Sequence, residues 1–199
     1  KTRGKGKQSL RLTLNCLDPA RLLARRQEQL HASVAFSATL TPTHWLRPGL
    51  GYAESAVCRQ LDSPFAPEQL AVKLECSIDT RYRQRTATLP PLAARISRWL
   101  KDQPGNCIVY FPSYRYLQDC LALLGSEELE AAGRTIWIQG AGSDPAERES
   151  LLPMLLSRRD VAAFCILGGI FGEGVDLPGE ALSSVVIVGV GLPQVNRQS

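Results

Sequence analysis

The sequence predicts an α/β fold in which a parallel β-sheet carries helices on both of its faces. From about residue 70 onward, short runs of strand-forming residues alternate with longer runs of helical spacing, as in repeated βαβ units. Two of the short runs, Cys107–Phe111 and Ala162–Leu167, are almost wholly apolar, which is typical of central parallel strands. Loops follow these runs, so one edge of the sheet should be lined by loops.

Length and composition are those of an ordinary globular protein. The 199 residues suffice for one domain, or for one domain and a piece of another, and 44% are hydrophobic against 21% charged. The longest apolar runs, Val161–Leu167 and Val185–Leu192, are too short to span a bilayer as a helix. The N-terminus has no apolar signal core, so we expect a cytoplasmic protein without membrane contact.

Six cysteines and two histidines are present, but no two cysteines form a CxxC pair. This spacing argues against a zinc ribbon or an iron–sulfur site, and we expect no metal site in this chain. Several cysteines lie inside apolar runs, where a cysteine behaves as a small buried hydrophobe. We interpret them as reduced structural thiols.

The first 70 residues contain two predicted strands, a helix and a connector. Leu10–Asn15 alternates apolar and polar residues, and Ser33–Ser37 is short and apolar, as a buried strand would be. Asp18-Pro19 has the form of an N-cap followed by proline, which predicts a helix over Ala20–His31. Residues 47–69 are rich in proline, glycine and serine and should form a connector with little regular structure.

The alternating elements begin with a predicted strand at Leu70–Ile78, whose residues alternate in polarity. Two prolines open a predicted helix over 90–101, and a turn then leads into the strand Cys107–Phe111. A Pro-Ser cap begins the next helix, which we expect over 112–124.

The remaining elements repeat this alternation. Arg134–Gln139 is a predicted strand, the cap Asp144-Pro145 precedes a predicted helix over Ala146–Leu156, and Ala162–Leu167 is a buried strand. The glycine-rich loop Gly168–Glu180 then leads to the last strand, Ser184–Val190. Ligand sites of parallel sheets lie at the carboxyl ends of the strands, so we expect a functional surface where four loops meet: 112–115, 139–144, 168–180 and 191–194.

The loop Gly168–Glu180 holds five glycines in thirteen residues, so its backbone can approach a ligand closely. Backbone N–H groups in such a loop can hold phosphate oxygens. The carboxylates of Glu173 and Asp176 can accept hydrogen bonds from ribose hydroxyls or from a basic side chain of a partner lobe. The alternative is a flexible loop with solvated acids.

A second candidate lies at a strand-to-helix junction, where helix N-terminal amides favour anions. Ser113 can donate to a phosphate, Arg115 can pair with one, and Tyr114 offers a stacking face. The alternative is a plain N-cap with a buried tyrosine. Two basic clusters, Lys1–Lys7 and Arg81–Arg85 around Tyr82, are either phosphate contacts or ordinary solvated segments.

Three familiar site classes are disfavoured. The chain has no GxxxxGK[ST], so the loop that grips the phosphates of ATP in P-loop proteins is missing. Gly189-Val190-Gly191 begins like a dinucleotide fingerprint, but Pro193 and Gln194 stand where the fingerprint continues. A hydrolase triad lacks support because there is no GxSxG and only two histidines are present.

Three segments in order resemble helicase motifs. Ser37-Ala38-Thr39-Leu40 resembles motif III of superfamily 2 helicases. Val109–Tyr114 is similar to motif IV of the DinG/XPD (DEAD_2) branch, and Gly168–Glu180 resembles the motif V of that branch. The resemblance covers roughly residues 10–196, and the three motifs together are specific.

The resemblance implies two RecA-like lobes, with ATP and Mg²⁺ bound between them and single-stranded DNA running across both. Residues 1–45 would be the tail of lobe one, and residues 46–199 would be the RecA-like second lobe. Ser37 and Thr39 would couple nucleotide state to lobe movement. Near the DNA we expect Ser113, Tyr114, Arg115, Gly168 and Gly169, and near the nucleotide we expect Gly172, Glu173, Gly174 and Asp176.

Departures from the family pattern matter equally. The Walker A and acidic motifs are absent, and the iron–sulfur cysteines of some relatives belong to lobe one, so a cluster would lie outside this chain. Motif VI would follow Ser199, and its arginines normally stabilise the charge in phosphoryl transfer. We therefore expect an inactive fragment of an ATP-dependent DNA helicase that acts in DNA repair, completed by lobe one in cis. A stand-alone nucleic-acid or nucleotide-binding module is the alternative.

Overall fold

The structure is a computed structural model that describes residues 12, 14–131, 133–140, 145–172 and 174–191, without the side chains of 126–131, 145, 147 and 148. The chain forms two compact units, Lys1–Ala71 and Val72–Ser199. The expectation that lobe one ends at residue 45 stays a prediction. No helix among the described residues is long and apolar enough to cross a lipid bilayer.

In the described part of the first unit lie two short α-helices, α1 (Ala20–Gln27) and α2 (Thr43–Gly49), and a 3-10 turn at Pro67–Gln69. The predicted helix at Ala20–His31 is confirmed but ends four residues early. Its last side chain, Gln27, donates through Nε2 to the backbone oxygen of Leu50 at 2.9 Å, which ties α1 to the end of α2.

Two strand predictions in this unit are wrong. Neither the described part of 10–15 nor Ser33–Ser37 forms a strand, and the second segment is exposed, with Val34 at 83% and Phe36 at 90% of full accessibility. Alternation or apolarity selects residues that suit a strand, but a strand also needs a hydrogen-bonding neighbour. Among the described residues no backbone pairs with these segments.

The strand predicted at Leu70–Ile78 is also wrong, for a different reason. This segment has no regular structure, its residues 70–77 are exposed, and two of its side chains, Lys73 and Glu75, contact the helix α3 (Arg85–Asp102). Glu75 pairs with Arg95 of that helix at 3.1 Å, and the Lys73 ammonium lies 5.9 Å from the ring centre of Trp99. Side-chain contacts with a helix thus replace the sheet pairing that the alternation predicts.

The second unit confirms the predicted parallel sheet. Its described residues form the strands β1 (Cys107–Phe111), β2 (Thr135–Ile138), β3 (Val161–Ile166) and β4 (Ser184–Ile187), in the spatial order β2-β3-β1-β4. All neighbours are parallel, and the central residue Val109 pairs with Phe164 on one side and with Val186 on the other.

Helices cover both faces of this sheet, as predicted. On one face, Val109, Phe111 and Phe164 pack in a core with residues of α3 and of α4 (Tyr114–Ala131). On the other face, Ile108 and Ala163 pack with the helix α5 (Pro145–Ser157). This assignment follows from the two-residue period of a strand, which sends successive side chains to opposite faces.

The start of α3 differs from the prediction, because Pro90 and Pro91 lie inside the helix and its first residue is Arg85. Prolines lack the N–H that an inner turn donates, so they normally mark a helix start. The preceding turn is held by Thr88, whose hydroxyl lies 3.0 Å from the backbone oxygen of Gln84 and 2.7 Å from that of Asp79. α4 continues past the expected end at Leu124, with non-helical backbone at Gly125.

Two polar side chains, the buried Asn106 and the partly buried Arg134, stabilise the amino edge of the sheet. The Nδ2 of Asn106, just before β1, lies 2.7–2.8 Å from the backbone oxygens of three residues, and its Oδ1 accepts the N–H of Val161 at 2.9 Å. The three carbonyls belong to Leu155, Arg158 and Ala181. Arg134 similarly donates to the carbonyls of Leu100, Gln103 and Gly105 at the end of α3.

Candidate functional site

Three strand ends meet at the carboxyl edge of the sheet. The N–H of Leu167, just after β3, donates to the oxygen of Phe111 at the end of β1 at 2.8 Å. On the other side of β1, the N–H of Val188 donates to the oxygen of Tyr110 at 2.9 Å. The loops that follow β1, β3 and β4 therefore leave the sheet side by side.

The loop after β1 presents Tyr114 and Arg115 to solvent. The oxygen of Ser113 accepts the N–H of Leu117 at 3.1 Å, and its Oγ accepts the N–H of Tyr116 at 3.4 Å, which begins α4. Tyr116 is buried and meets the ring of Phe111 edge-on at 5.7 Å. The buried tyrosine of this junction is thus Tyr116, and Tyr114 keeps an accessible ring.

The glycine-rich loop after β3 begins with two tight turns. Gly169 donates to the oxygen of Ile166 at 3.1 Å, and Gly172 donates to the oxygen of Gly169 at 2.9 Å. A Cβ on Gly169 would lie only 3.0 Å from the oxygen of Ile166 and 3.2 Å from Nε2 of Gln139. Gln139 is itself fixed, because its Oε1 accepts the N–H of Ile166 at 2.9 Å. A side chain at position 169 would therefore be tight and would require these neighbours to shift by a few tenths of an ångström.

Phe171 anchors the middle of the same loop. It is buried, its ring meets Trp137 edge-on at 5.3 Å, and its oxygen accepts the hydroxyl of Tyr110 at 2.8 Å. Burial raises the pKa of Tyr110 to about 12, so this hydroxyl stays protonated and keeps donating. The sequence analysis did not identify these contacts. The sequence signal that could have indicated them is an aromatic residue, Phe171, among the glycines of the loop.

The second half of the loop alternates between core and solvent. Val175 and Leu177 pack against the core around β3, and Asp176 between them is exposed. Gly172 and Gly174 are exposed as well. Glu173 lies outside the described residues. In its described part, this half of the loop thus exposes backbone groups and the carboxylate of Asp176.

Ser37 and Thr39 belong to the first unit and form a local turn. Their hydroxyl oxygens lie 3.2 Å apart, and the N–H of Thr39 donates to Oγ of Ser37 at 3.1 Å. Both side chains are exposed. Their coupling role stays a prediction, as do the DNA and nucleotide roles of the predicted residues in the second unit.

The cysteines fall into two groups. Cys107, Cys120 and Cys165 are buried, as their apolar neighbours predict, and burial raises the pKa of Cys107 to about 11 and that of Cys120 to about 12. Three others are exposed, so the interpretation as buried hydrophobes does not hold for them: Cys16, Cys58 and Cys76. Within the described part of the chain, no three His, Cys, Asp or Glu side chains are grouped as metal ligands would be.

Comparison with known proteins agrees with the parallel sheet. The family model described as the helicase C-terminal domain matches residues 96–199, which include all four strands. A probable ATP-dependent helicase of Methanocaldococcus jannaschii is 28% identical over 153 residues, or 75% of this chain. The chain spans 22% of the length of that relative. The chain therefore belongs to the helicase C-terminal domain family.

Proposed function

We propose that this chain is part of an ATP-dependent DNA helicase of the DinG/XPD type and forms its second RecA-like lobe. The supporting observation is the meeting of two loops, 112–115 and 168–178, at the carboxyl ends of the adjacent strands β1 and β3. The loop after β1 offers side chains suited to a nucleic acid, and the loop after β3 offers backbone groups and a carboxylate. The resemblance of the chain's motifs to those of the DinG/XPD branch supports a role in DNA repair.

Single-stranded DNA would run over the loop after β1. Tyr114 offers an accessible aromatic face on which a base can stack, and Arg115 is an exposed cation at the start of α4. Ser113 would face the backbone of the strand, with the turn at Gly168 and Gly169 beside it. Binding of this kind combines phosphate attraction with stacking and has little sequence preference.

ATP with Mg²⁺ would bind between this lobe and a first lobe of the same protein. ATP supplies the free energy of phosphate hydrolysis, and the first lobe would supply the groups that grip its phosphates. Gly172 and Gly174 let the backbone approach the nucleotide, and Asp176 is an exposed acceptor for a ribose hydroxyl or for a basic side chain of the first lobe. Ser37 and Thr39 would transmit the nucleotide state to the movement of the lobes.

A titration of labelled oligothymidine, followed by fluorescence anisotropy, tests the DNA surface. We expect Tyr114→Ala to weaken binding about 5-fold or more, since loss of a base–aromatic stack costs about 1–3 kcal/mol. Arg115→Ala should lower the salt dependence by about 0.7 in the slope of log K against log salt. Gln118→Ala, an exposed substitution one turn along α4, is the matched control. Unchanged binding in both variants would remove this loop from the DNA path.

The division of labour between lobes is tested by ATP hydrolysis. Purified residues 1–199 should not hydrolyse ATP in the presence of Mg²⁺ and single-stranded DNA, because no phosphate-gripping loop is present in the sequence. Turnover by this chain alone, copurifying with it through gel filtration, would contradict the proposal. The reading frame around the chain should also encode a P-loop upstream and a QxxGRxIR motif downstream, and finding neither would favour a stand-alone binding module.

A further inference from the structure

We propose that the loop Arg81–Tyr82–Arg83 is a second contact for single-stranded nucleic acid, next to the loop 112–115. The three helicase-like motifs do not include these residues, and the sequence alone left them open between a phosphate contact and an ordinary solvated segment. The inference rests on the proposed function, because it extends the DNA path of the same sheet edge. It is carried by the position of the loop, its fixed conformation and its chemistry.

The loop lies at the carboxyl edge of the sheet. A Cβ on Gly189, just after β4, would stand 2.7 Å from Oγ1 of Thr80, so Thr80 packs directly against the end of that strand. Arg85, at the other end of the loop, lies over the ring of Tyr116 in the first turn of α4. The loop therefore spans from the end of β4 to the helix that follows β1.

Arg85 holds the loop in place. Its guanidinium carbon lies 4.7 Å from the ring centre of Tyr116 and 5.6 Å from that of Tyr82, and its Nε donates to the oxygen of Thr80 at 3.1 Å. Planar guanidinium groups stack well on aromatic faces. Arg85 thus links Tyr82 to the first turn of α4. Because these contacts hold the loop in one conformation, little conformational entropy is lost when a ligand binds it.

Tyr82 itself is unusually open for an aromatic residue, at 83% of full accessibility. Arg85 lies over one face of its ring, which leaves the opposite face for a base. A tyrosine with a structural role in the core would have its ring covered, because burial of the apolar ring stabilises the folded protein.

The charge around Tyr82 favours a polyanion. Asp79 neutralises Arg81 through an ion pair at 2.5 Å, while Arg83 is exposed and has no ion pair in the described part of the chain. Arg83 and Arg85 therefore leave a positive surplus around the aromatic ring. An aromatic face flanked by cations is the combination that single-strand-binding surfaces use.

The test uses residues 1–199 and a labelled oligothymidine of about 15 nucleotides, the upper range of such sites. We expect Tyr82→Ala to weaken binding about 5-fold or more, and Tyr82→Phe to bind like the unchanged protein, because stacking needs the ring and not the hydroxyl. Arg83→Ala should lower the salt slope by about 0.7. Arg98→Ala is the charge-matched control, since this exposed arginine lies about 20 Å away along α3.

A second readout does not depend on any variant. Oligothymidine that carries 5-iododeoxyuridine forms photo-crosslinks to aromatic side chains that stack on the base. Mass spectrometry of the digested adduct should identify the peptide that contains Tyr82, beside the one that contains Tyr114. Absence of the Tyr82 adduct in a sample that yields the Tyr114 adduct would contradict the inference.

The outcomes separate this inference from the proposed function. If Tyr114→Ala weakens binding while Tyr82→Ala and Arg83→Ala do not, the second contact is wrong and the helicase proposal stands. If Tyr82→Ala weakens binding while neither Tyr114→Ala nor Arg115→Ala does, the second contact stands and the DNA role of loop 112–115 is withdrawn. If the chain does not bind oligothymidine at low salt, both are overturned.

Discussion

Replacing Asn106 with alanine should lower the free energy of unfolding of the second unit by about 3 kcal/mol. The side chain is fully buried, and it bridges segments that are 49 to 75 residues apart in the chain. Its Nδ2 faces the carbonyls of Leu155, Arg158 and Ala181, and its Oδ1 accepts the N–H of Val161. These contacts hold α5, β3 and the segment before β4 against the start of β1.

The magnitude follows from the hydrogen bonds that are lost. An amide has two N–H bonds, so two of the three carbonyls are served at a time, and the bond from Val161 is a third. A typical hydrogen bond contributes about 1 kcal/mol net, and a buried group left without a partner costs about 1–3 kcal/mol. Water that enters the vacated space recovers part of the loss, which keeps the expected value near the sum of three ordinary bonds.

Urea unfolding followed by far-ultraviolet circular dichroism measures this loss. Gln118→Ala, exposed on α4, is the control and should stay within about 0.5 kcal/mol of the unchanged protein. Asn106→Asp keeps the shape but turns a carboxylate toward three carbonyls. Burial should raise the folded-state pKa of that carboxyl, so the variant should gain stability as the pH falls from about 7 to about 5. If Asn106→Ala lowers the free energy of unfolding by less than about 1 kcal/mol, this side chain does not stabilise the packing of α5, β3 and the segment before β4 against the start of β1.

Three further predictions concern other buried or paired groups. Arg134→Met removes a cation that donates to the backbone oxygens of Leu100, Gln103 and Gly105, at and just after the end of α3. We therefore expect a loss of about 1–3 kcal/mol in the free energy of unfolding, measured with urea. Tyr110→Phe removes the bond to the oxygen of Phe171, so amide exchange in the loop after β3 should quicken while the melting temperature falls little. The ion pair with Arg158, and then the hydroxyl of Thr135, lower the pKa of Asp160 to about 2. Because this pKa is depressed in the folded state, the stabilisation is present above about pH 4 and is lost as the pH falls through about 2. Asp160→Asn should therefore differ from the unchanged protein at pH 6, by less than about 1 kcal/mol because the pair is solvent-exposed, and the difference should shrink toward pH 2. A difference that grows on acidification would reverse the assignment.

Sequence patterns were sufficient for the parallel sheet of the second unit because its central strands are buried on both faces. Cys107–Phe111 and Val161–Ile166 contain almost no polar residue, and only a central strand of a covered sheet tolerates that composition. The glycines of the loop Gly168–Glu180 predicted a backbone that can come close to a ligand; Gly169 comes close to the oxygen of Ile166, and the approach to a ligand stays a prediction. These signals are local and can be read along the chain.

Tertiary structure decided what depends on partners distant in sequence. Ser33–Ser37 and Leu70–Ile78 have strand-like residues, yet no neighbouring backbone pairs with them among the described residues. The same limit applies to side chains, because nothing local distinguishes Tyr114, whose ring is accessible, from Tyr116, which is buried. The periodicity of apolar residues along the chain determines which face of a helix or strand is apolar. Hydrogen bonds and stacking between remote segments, in contrast, form only once the chain has folded. The hydrogen bonds of Asn106 and the stacking of Arg85 on two tyrosine rings are examples of such contacts between remote segments.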